Sequence, residues 1–199
     1  GQVSVDGRDV AALKPRRRWE LGVGRTFQIT ATYASMSVRE NVQMVLLSAA
    51  HRLFGIWPQA RRLYVEEADA LLALVGMAGQ AGRPCGLLAY GDVKRVELAM
   101  ALAGRPRLLL MDEPTAGMSP GERDELMALT AALTRERNIG VLFTEHSMDV
   151  VFKYANRVLV MARGRVIAEG APAAVRDNAR VQEVYFGTGA TFQAHAALS

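Results

Sequence analysis

Lysine is scarce in this chain. Of 24 basic residues only Lys14, Lys94 and Lys153 are lysine, and they are followed by Pro15, Arg95 and Tyr154. A phosphate-cradling loop of the form G-x-x-x-x-G-K-[ST] needs a lysine between a glycine and a hydroxyl residue, and none of the three fits. Cysteine is scarcer still. Cys85 stands alone, which excludes an internal disulfide and fits a reducing compartment. No histidine lies near it in sequence, so it reads as a small buried thiol and not as a nucleophile. No apolar run approaches the roughly 18–20 residues that cross a bilayer. The greasiest stretch, residues 70–78, is short and follows Glu66, Glu67 and Asp69. No signal peptide opens the sequence. Aromatics amount to 7%, and no basic stripe is interleaved with them. A net charge of +4 therefore does not lead us to expect a nucleic-acid partner. The cluster Arg16-Arg17-Arg18 reads as a solvated helix start.

The 199 residues, half of them hydrophobic, suit one α/β unit with a sizeable core and room for a subdomain. Alternation around Asp6-Gly7 predicts a hairpin over residues 2–10. A short helix over about 14–21 and a strand over about 23–28 follow. From Ser37 the period becomes helical, and Ser37-Val38-Arg39-Glu40 has capping-box spacing. A second helix is expected over about 60–75, then a loop over 76–86 rich in glycine. The next helix runs over about 92–103, with Gly104 at C′ and Pro106 preventing its continuation. Ser119-Pro120-Gly121-Glu122 places a serine at N-cap, proline at N1 and glutamate at N3 of another. Val141 to Thr144 reads as a buried strand ending at Glu145-His146. Strands over 157–162 and 165–169 pair around Arg163-Gly164, and one helix over about 173–185 closes the fold. Beyond Gly187 the tail is expected to be mobile.

The most informative stretch is Arg107-Leu108-Leu109-Leu110-Met111-Asp112-Glu113-Pro114. Consecutive apolar residues ended by two acids and a proline read as a strand buried on both faces. An Asp at such a tip can hold Mg²⁺, and a neighbouring Glu can polarise water against a phosphate. Just upstream, Leu88-Ala89-Tyr90-Gly91-Asp92 opens a helix. Its unpaired N–H groups suit an anion, and Gly91 lets backbone approach closely.

Taken in order, these pieces resemble the ATP-binding cassette (ABC) family over essentially the whole chain except the tail. Leu88, Ala89, Tyr90, Gly91 and Asp92 resemble its LSGGQ-like signature, although Ala89 lacks the hydroxyl and Tyr90 replaces the first glycine of the general pattern. Leu-Ala-Tyr-Gly, Arg25-Thr26-Phe27-Gln28 and the ending Glu183-Val184-Tyr185-Phe186-Gly187 are similar to ATPases of branched-chain amino-acid importers. The resemblance implies a P-loop NTPase-like core with a helical subdomain, N-terminally truncated. Residues 1–29 would be part of the core and 30–88 the helical subdomain. Residues 89–187 would carry the signature, Walker B, D-loop and switch histidine, and 188–199 a flexible tail.

The same resemblance implies the roles. Asp112 would be a Mg²⁺ ligand in the second shell and Glu113 the base that orients water. His146 would be the switch histidine touching the γ-phosphate. Gln28 would sense metal and water and link them to the membrane partner. Residues 88–92 would contact ATP bound by a second subunit, and Ala116-Gly117-Met118-Ser119-Pro120 would be the D-loop. His51 and His195 match nothing and read as surface residues. The implied cofactors are ATP and Mg²⁺. The implied partners are a second ATPase subunit, identical or paralogous, transmembrane permease subunits and, indirectly, a periplasmic substrate-binding protein. The place would be the cytoplasmic face of the membrane. The family's adenine-stacking strand and Walker A loop would precede Gly1, so these 199 residues alone are expected to bind MgATP weakly.

Two further readings compete: a remnant cassette acting as a regulatory module, and a soluble ABC ATPase acting on DNA or ribosomes. The retained Glu113, Gln28 and His146 argue against the first. The second usually brings coiled-coil insertions or two cassettes in one chain, and neither is present. An importer of urea or short amides remains an alternative, since such importers use closely related ATPases.

Overall fold

The computed structural model describes residues 3–5, 7–26, 32–50 and 62–186. They belong to two compact units, Gly1–Thr144 and Glu145–Ser199.

The first unit opens with strands β1 (Ser4–Val5) and β2 (Arg8–Asp9), paired antiparallel around Gly7, whose φ is +76°. Helix α1 (Pro15–Glu20) starts on a proline at N1, where a missing N–H costs nothing. Its arginines are less idle than a solvated cluster. Arg16 and Arg17 pair with Glu20, and Arg18 donates to the carbonyls of Val10 and Ala11 at 3.1 and 2.8 Å, tying α1 to the end of the hairpin.

Strands β3 (Val23–Arg25), β4 (Leu108–Asp112) and β5 (Gly140–Thr144) form a parallel sheet with β4 in the middle. Its register pairs Asp112 with Thr144. The expectation of strands buried on both faces is corrected. In β4, Leu109 and Met111 are buried while Leu108, Leu110 and Asp112 are half-covered. In β5 the side chains alternate between half-covered and exposed, and Leu142, on the open face, is 63% exposed.

Helices α2 (Val38–Ala49), α3 (Val65–Leu74), α4 (Tyr90–Ala103) and α5 (Pro120–Glu136) follow; α2, α3 and α5 pack on α4, which lies against β3. The capping boxes at Ser37/Glu40 and Ser119/Glu122 both form. The helix expected from about residue 60 begins at Val65: residues 62–64 form a turn, and Tyr64 has left-handed backbone at φ +57°. The loop over 76–86 contains two short 3₁₀ turns, Ala78–Gln80 and Cys85–Leu87. One core runs from Val38 and Val42 of α2 through Ala68 and Leu72 of α3 to Val96 and Leu102 of α4, Leu109 of β4 and Leu126 of α5. The helices of 38–74 therefore share their packing with α4 and β4.

Gly104 departs from the expected αL ending. Its φ is −74°, and Arg105 takes the left-handed conformation at +47°. Glycine is needed there for a different reason. A Cβ on Gly104 would lie 2.8 Å from Trp19 Nε1, so the indole of α1 packs on bare backbone at the end of α4.

The second unit holds α6 (Met148–Tyr154) and the hairpin of β6 (Val158–Ala162) and β7 (Arg165–Gly170). Arg163 and Gly164 both have positive φ, the geometry of a two-residue hairpin turn. The single closing helix expected over 173–185 is two: α7 (Pro172–Arg176) and α8 (Ala179–Phe186). Asn178 divides them, its side-chain oxygen accepting from the N–H groups of Arg180 and Val181 at 3.0 and 3.3 Å. That local bond competes with continuing the helix. Among the described residues no helix is long and apolar enough to cross a membrane.

Candidate active site

The tip of β4 is assembled from two strands of equal reach. Asp112 is the last residue of β4, and Thr144 ends β5 directly opposite. The Thr144 hydroxyl donates to Asp112 Oδ1 at 2.6 Å, which fixes the carboxylate. The next residue, Glu113, has φ +46°. A left-handed conformation in a residue other than glycine costs on the order of 1 kcal/mol or more and gathers at functional sites. It is held in place because the Glu113 N–H donates to the Thr144 carbonyl at 3.0 Å and lies 3.2 Å from its hydroxyl oxygen. One threonine thus fixes the Asp112 carboxylate and the backbone of Glu113. Sequence reasoning missed Thr144; the signal was a hydroxyl closing a strand of the same length as its neighbour.

Past Glu113 the chain turns tightly. Ala116 N–H donates to the Glu113 carbonyl at 3.1 Å and Met118 N–H to that of Thr115 at 3.2 Å. Gly117 supplies a φ of +76°. A Cβ there would lie 3.7 Å from Cε1 of Tyr90, so the D-loop-like turn rests against the first residue of α4.

At the start of α4, Leu88 ends the preceding 3₁₀ turn and Ala89 is the N-cap. Alanine has no oxygen to offer, and no side-chain cap forms. Tyr90 is 44% exposed, Gly91 is buried, and Asp92 accepts from Gln80 Nε2 at 3.0 Å. A Cβ on Gly91 would lie 3.3 Å from Glu122 Oε1, so residues 90 and 91 pack on the turn after β4 and the first turn of α5. The Glu122 carboxyl is held below its usual range chiefly by the Ser119 hydroxyl, then by the Ser119 N–H.

Gln28 lies outside the described residues, as do its neighbours over 27–31. The residues on either side are tied down. Thr26 N–H donates to the Leu110 carbonyl at 2.9 Å, extending the β3–β4 pairing. On the far side, the fully buried Asn41 accepts from Tyr33 N–H at 2.7 Å and donates to the carbonyls of Tyr33 and Ser37 at 3.1 and 2.9 Å. Asn41 was also missed, because a polar residue inside a helical stripe gave no sign of burial. His146 belongs to the second unit, where it is exposed and its N–H donates to Glu145 Oε2 at 3.1 Å. Its place beside Glu113 remains a sequence-based expectation. Burial, first of all, pushes the Cys85 thiol up, as the inert reading of that residue requires.

Among the described residues no three His, Cys, Asp or Glu side chains gather as a metal cage. Mg²⁺ does not need one, since it binds through one or two carboxylates, substrate phosphates and water. The Asp112 carboxylate, already fixed by Thr144, is an oxygen donor of the right kind. A cavity of about 710 Å³ opens elsewhere. Its walls include Arg8, Trp19, Arg105 and Arg107, and Arg107 precedes β4 at the end opposite Asp112.

Comparison with known proteins points one way. A family model described as "ABC transporter" matches residues 1–116. A second, "Branched-chain amino acid ATP-binding cassette transporter", matches residues 165–191. The chain is 36% identical over 198 residues to the high-affinity branched-chain amino acid transport ATP-binding protein BraF of Pseudomonas aeruginosa, covering 94% of this chain and 76% of the relative. It is 33% identical, with the same coverage, to the corresponding protein LivG of Escherichia coli. Among solved structures it is similar to the ADP conformation of MJ1267, an ATP-binding cassette of an ABC transporter, with TM-score 0.78, 28% identity, and 94% and 77% of the two chains covered. It is also similar to cbiO1 of Clostridium perfringens, part of the transporter complex cbiONQ, with TM-score 0.74, 26% identity, and 100% and 75% covered.

Proposed function

The chain belongs to the ABC transporter family, and on that premise we propose that it is the ATP-hydrolysing subunit of an importer for branched-chain or related amino acids. The observation that carries the reading is the tip of β4, where Thr144 fixes Asp112 and holds Glu113 in left-handed backbone. Asp112, with Gln28, would hold Mg²⁺, which neutralises phosphate charge when bound. Glu113 accepts the proton of the attacking water, a role suited to a carboxylate beside a phosphate. His146 donates a hydrogen bond that steadies the phosphate and the water. The uncapped N–H groups at Tyr90, Gly91 and Asp92 receive the terminal phosphate of an ATP bound by a second subunit, identical or paralogous.

ATP-driven closure of that pair acts on membrane permease subunits through Gln28 and the helices of residues 30–88. A periplasmic binding protein supplies the amino acid on the far side. The chain sits at the cytoplasmic face of the membrane through its permease partners. These 199 residues alone bind MgATP weakly, because none of their lysines stands in a phosphate loop. In the intact ATPase, Glu113→Gln lowers hydrolysis by about 10²–10⁴-fold and lengthens the life of the ATP-bound dimer. Steady-state hydrolysis and size-exclusion chromatography with ATP measure both. Unchanged hydrolysis rejects Glu113 as the base.

A further inference from the structure

One buried charge pair takes no part in the chemistry just described. Lys94 and Glu97 of α4 are 5% and 6% exposed, and Nζ lies 2.9 Å from Oε2. In sequence the two look like an ordinary surface pair three residues apart, of the kind Arg17 and Glu20 make. Burial changes the energetics. Taking two charges out of water costs several kcal/mol per ion, and an apolar pair of similar volume often holds a core as well or better. A role in packing alone therefore explains the pair poorly.

Its neighbours suggest another role. Lys94 lies one turn after Tyr90, and its Nζ stands 5.4 Å from the centre of the Tyr90 ring, within cation–π range. The opposite side of the site is tied in through Tyr90 as well, since the ring rests against Gly117 of the turn after Glu113.

Resting on the ATPase reading above, we propose that Lys94 and Glu97 are positioning residues: through the Tyr90 ring they aim the open end of α4 at the nucleotide of the second subunit. The pair acts on closure of the dimer and not on capture of ATP by each subunit's own phosphate loop. Maximal hydrolysis, which follows the fraction of dimer that closes, should therefore change more than the ATP concentration needed for half-saturation.

The test uses the intact ATPase, with Lys94→Met and Glu97→Leu made together so that no buried charge is stranded. Thermal melting, kcat and KM for ATP are measured. ATP-driven self-association is followed in the Glu113→Gln background. The double variant is expected to melt within a few degrees of wild type and keep its KM. Its kcat and its association should each fall about tenfold, the scale of coupling between neighbouring residues. Lys94→Arg alone, with Glu97 kept, retains both. Tyr90→Leu causes the same loss in wild type and adds little in the double variant. Wild-type kcat and association in the double variant overturn the proposal, as does a loss that merely follows the fraction unfolded. A wild-type protein that neither hydrolyses ATP nor associates with it overturns the ATPase reading together with the proposal.

Discussion

The N-terminus of α5 closes on itself, whereas the N-terminus of α4, packed against it, is left open. At α5 the Ser119 hydroxyl accepts from Glu122 N–H while the Glu122 carboxylate accepts from Ser119 N–H and hydroxyl, so orphan donors of the first turn are satisfied inside the helix. At α4 the N-cap is alanine, with no oxygen to supply. The same physics acts at both ends, since each helix carries unpaired donors and a partial positive charge at its start. A helix that serves only the fold meets its donors with its own side chains. One whose donors are wanted elsewhere does without them, and its stability comes from its buried face instead.

The comparison can be broken most severely by finishing α4 as α5 is finished. Ala89→Asp adds the missing cap, which contributes about 1 kcal/mol and raises the melting temperature. It also sets a carboxylate where an ATP phosphate is proposed to arrive, and hydrolysis by the intact ATPase falls about 100-fold, the scale of losing a stabilising donor. A variant both more stable and nearly inactive is the expected outcome. Normal hydrolysis in it means that the open end receives no anion.

Opening a closed end has the opposite signature. Ser37→Ala removes the box of α2, costs about 1 kcal/mol and lowers the melting temperature by roughly 2–4 °C in a chain of this size. Hydrolysis below the melting transition stays within about twofold.

The smallest effect concerns acid. The folded-state pKa of Glu122 lies below its usual value, so its bond to Ser119 contributes stability above the usual carboxylate pKa of 4.5. That contribution is lost as pH falls through the lower folded value. Urea unfolding should therefore show Ser119→Ala destabilised relative to wild type at pH 7, with the gap narrowing as pH falls below 4.5. A gap independent of pH would mean that the carboxylate plays no part in the cap.

What could be read from the sequence was local. Ser37/Glu40 and Ser119/Glu122 announce helix starts because a box needs only four residues in a row. The apolar run ending in Asp112-Glu113 announces the strand for a similar reason. Features that depend on a distant neighbour were not visible. Gly104 was read as a left-handed stop, yet it is glycine because Trp19 lies across it from α1. Thr144 needed the register of β5 against β4 before its hydroxyl meant anything. Lys94 and Glu97 have the spacing of solvated charges, and only tertiary packing around α4 buries them. The break at Asn178 was local and still missed, because an asparagine within a helical period gives little notice that its side chain will cap the next segment.

The backbone at position 113 carries a consequence for how this protein can evolve. Glycine would adopt the +46° dihedral without penalty and would fold the turn at least as well. Selection for foldedness alone would drift toward it, and each such drift would silence the proposed base. Chains that have stopped transporting should therefore tend to lose the acid at this spot early, leaving a relaxed turn as the mark of disuse.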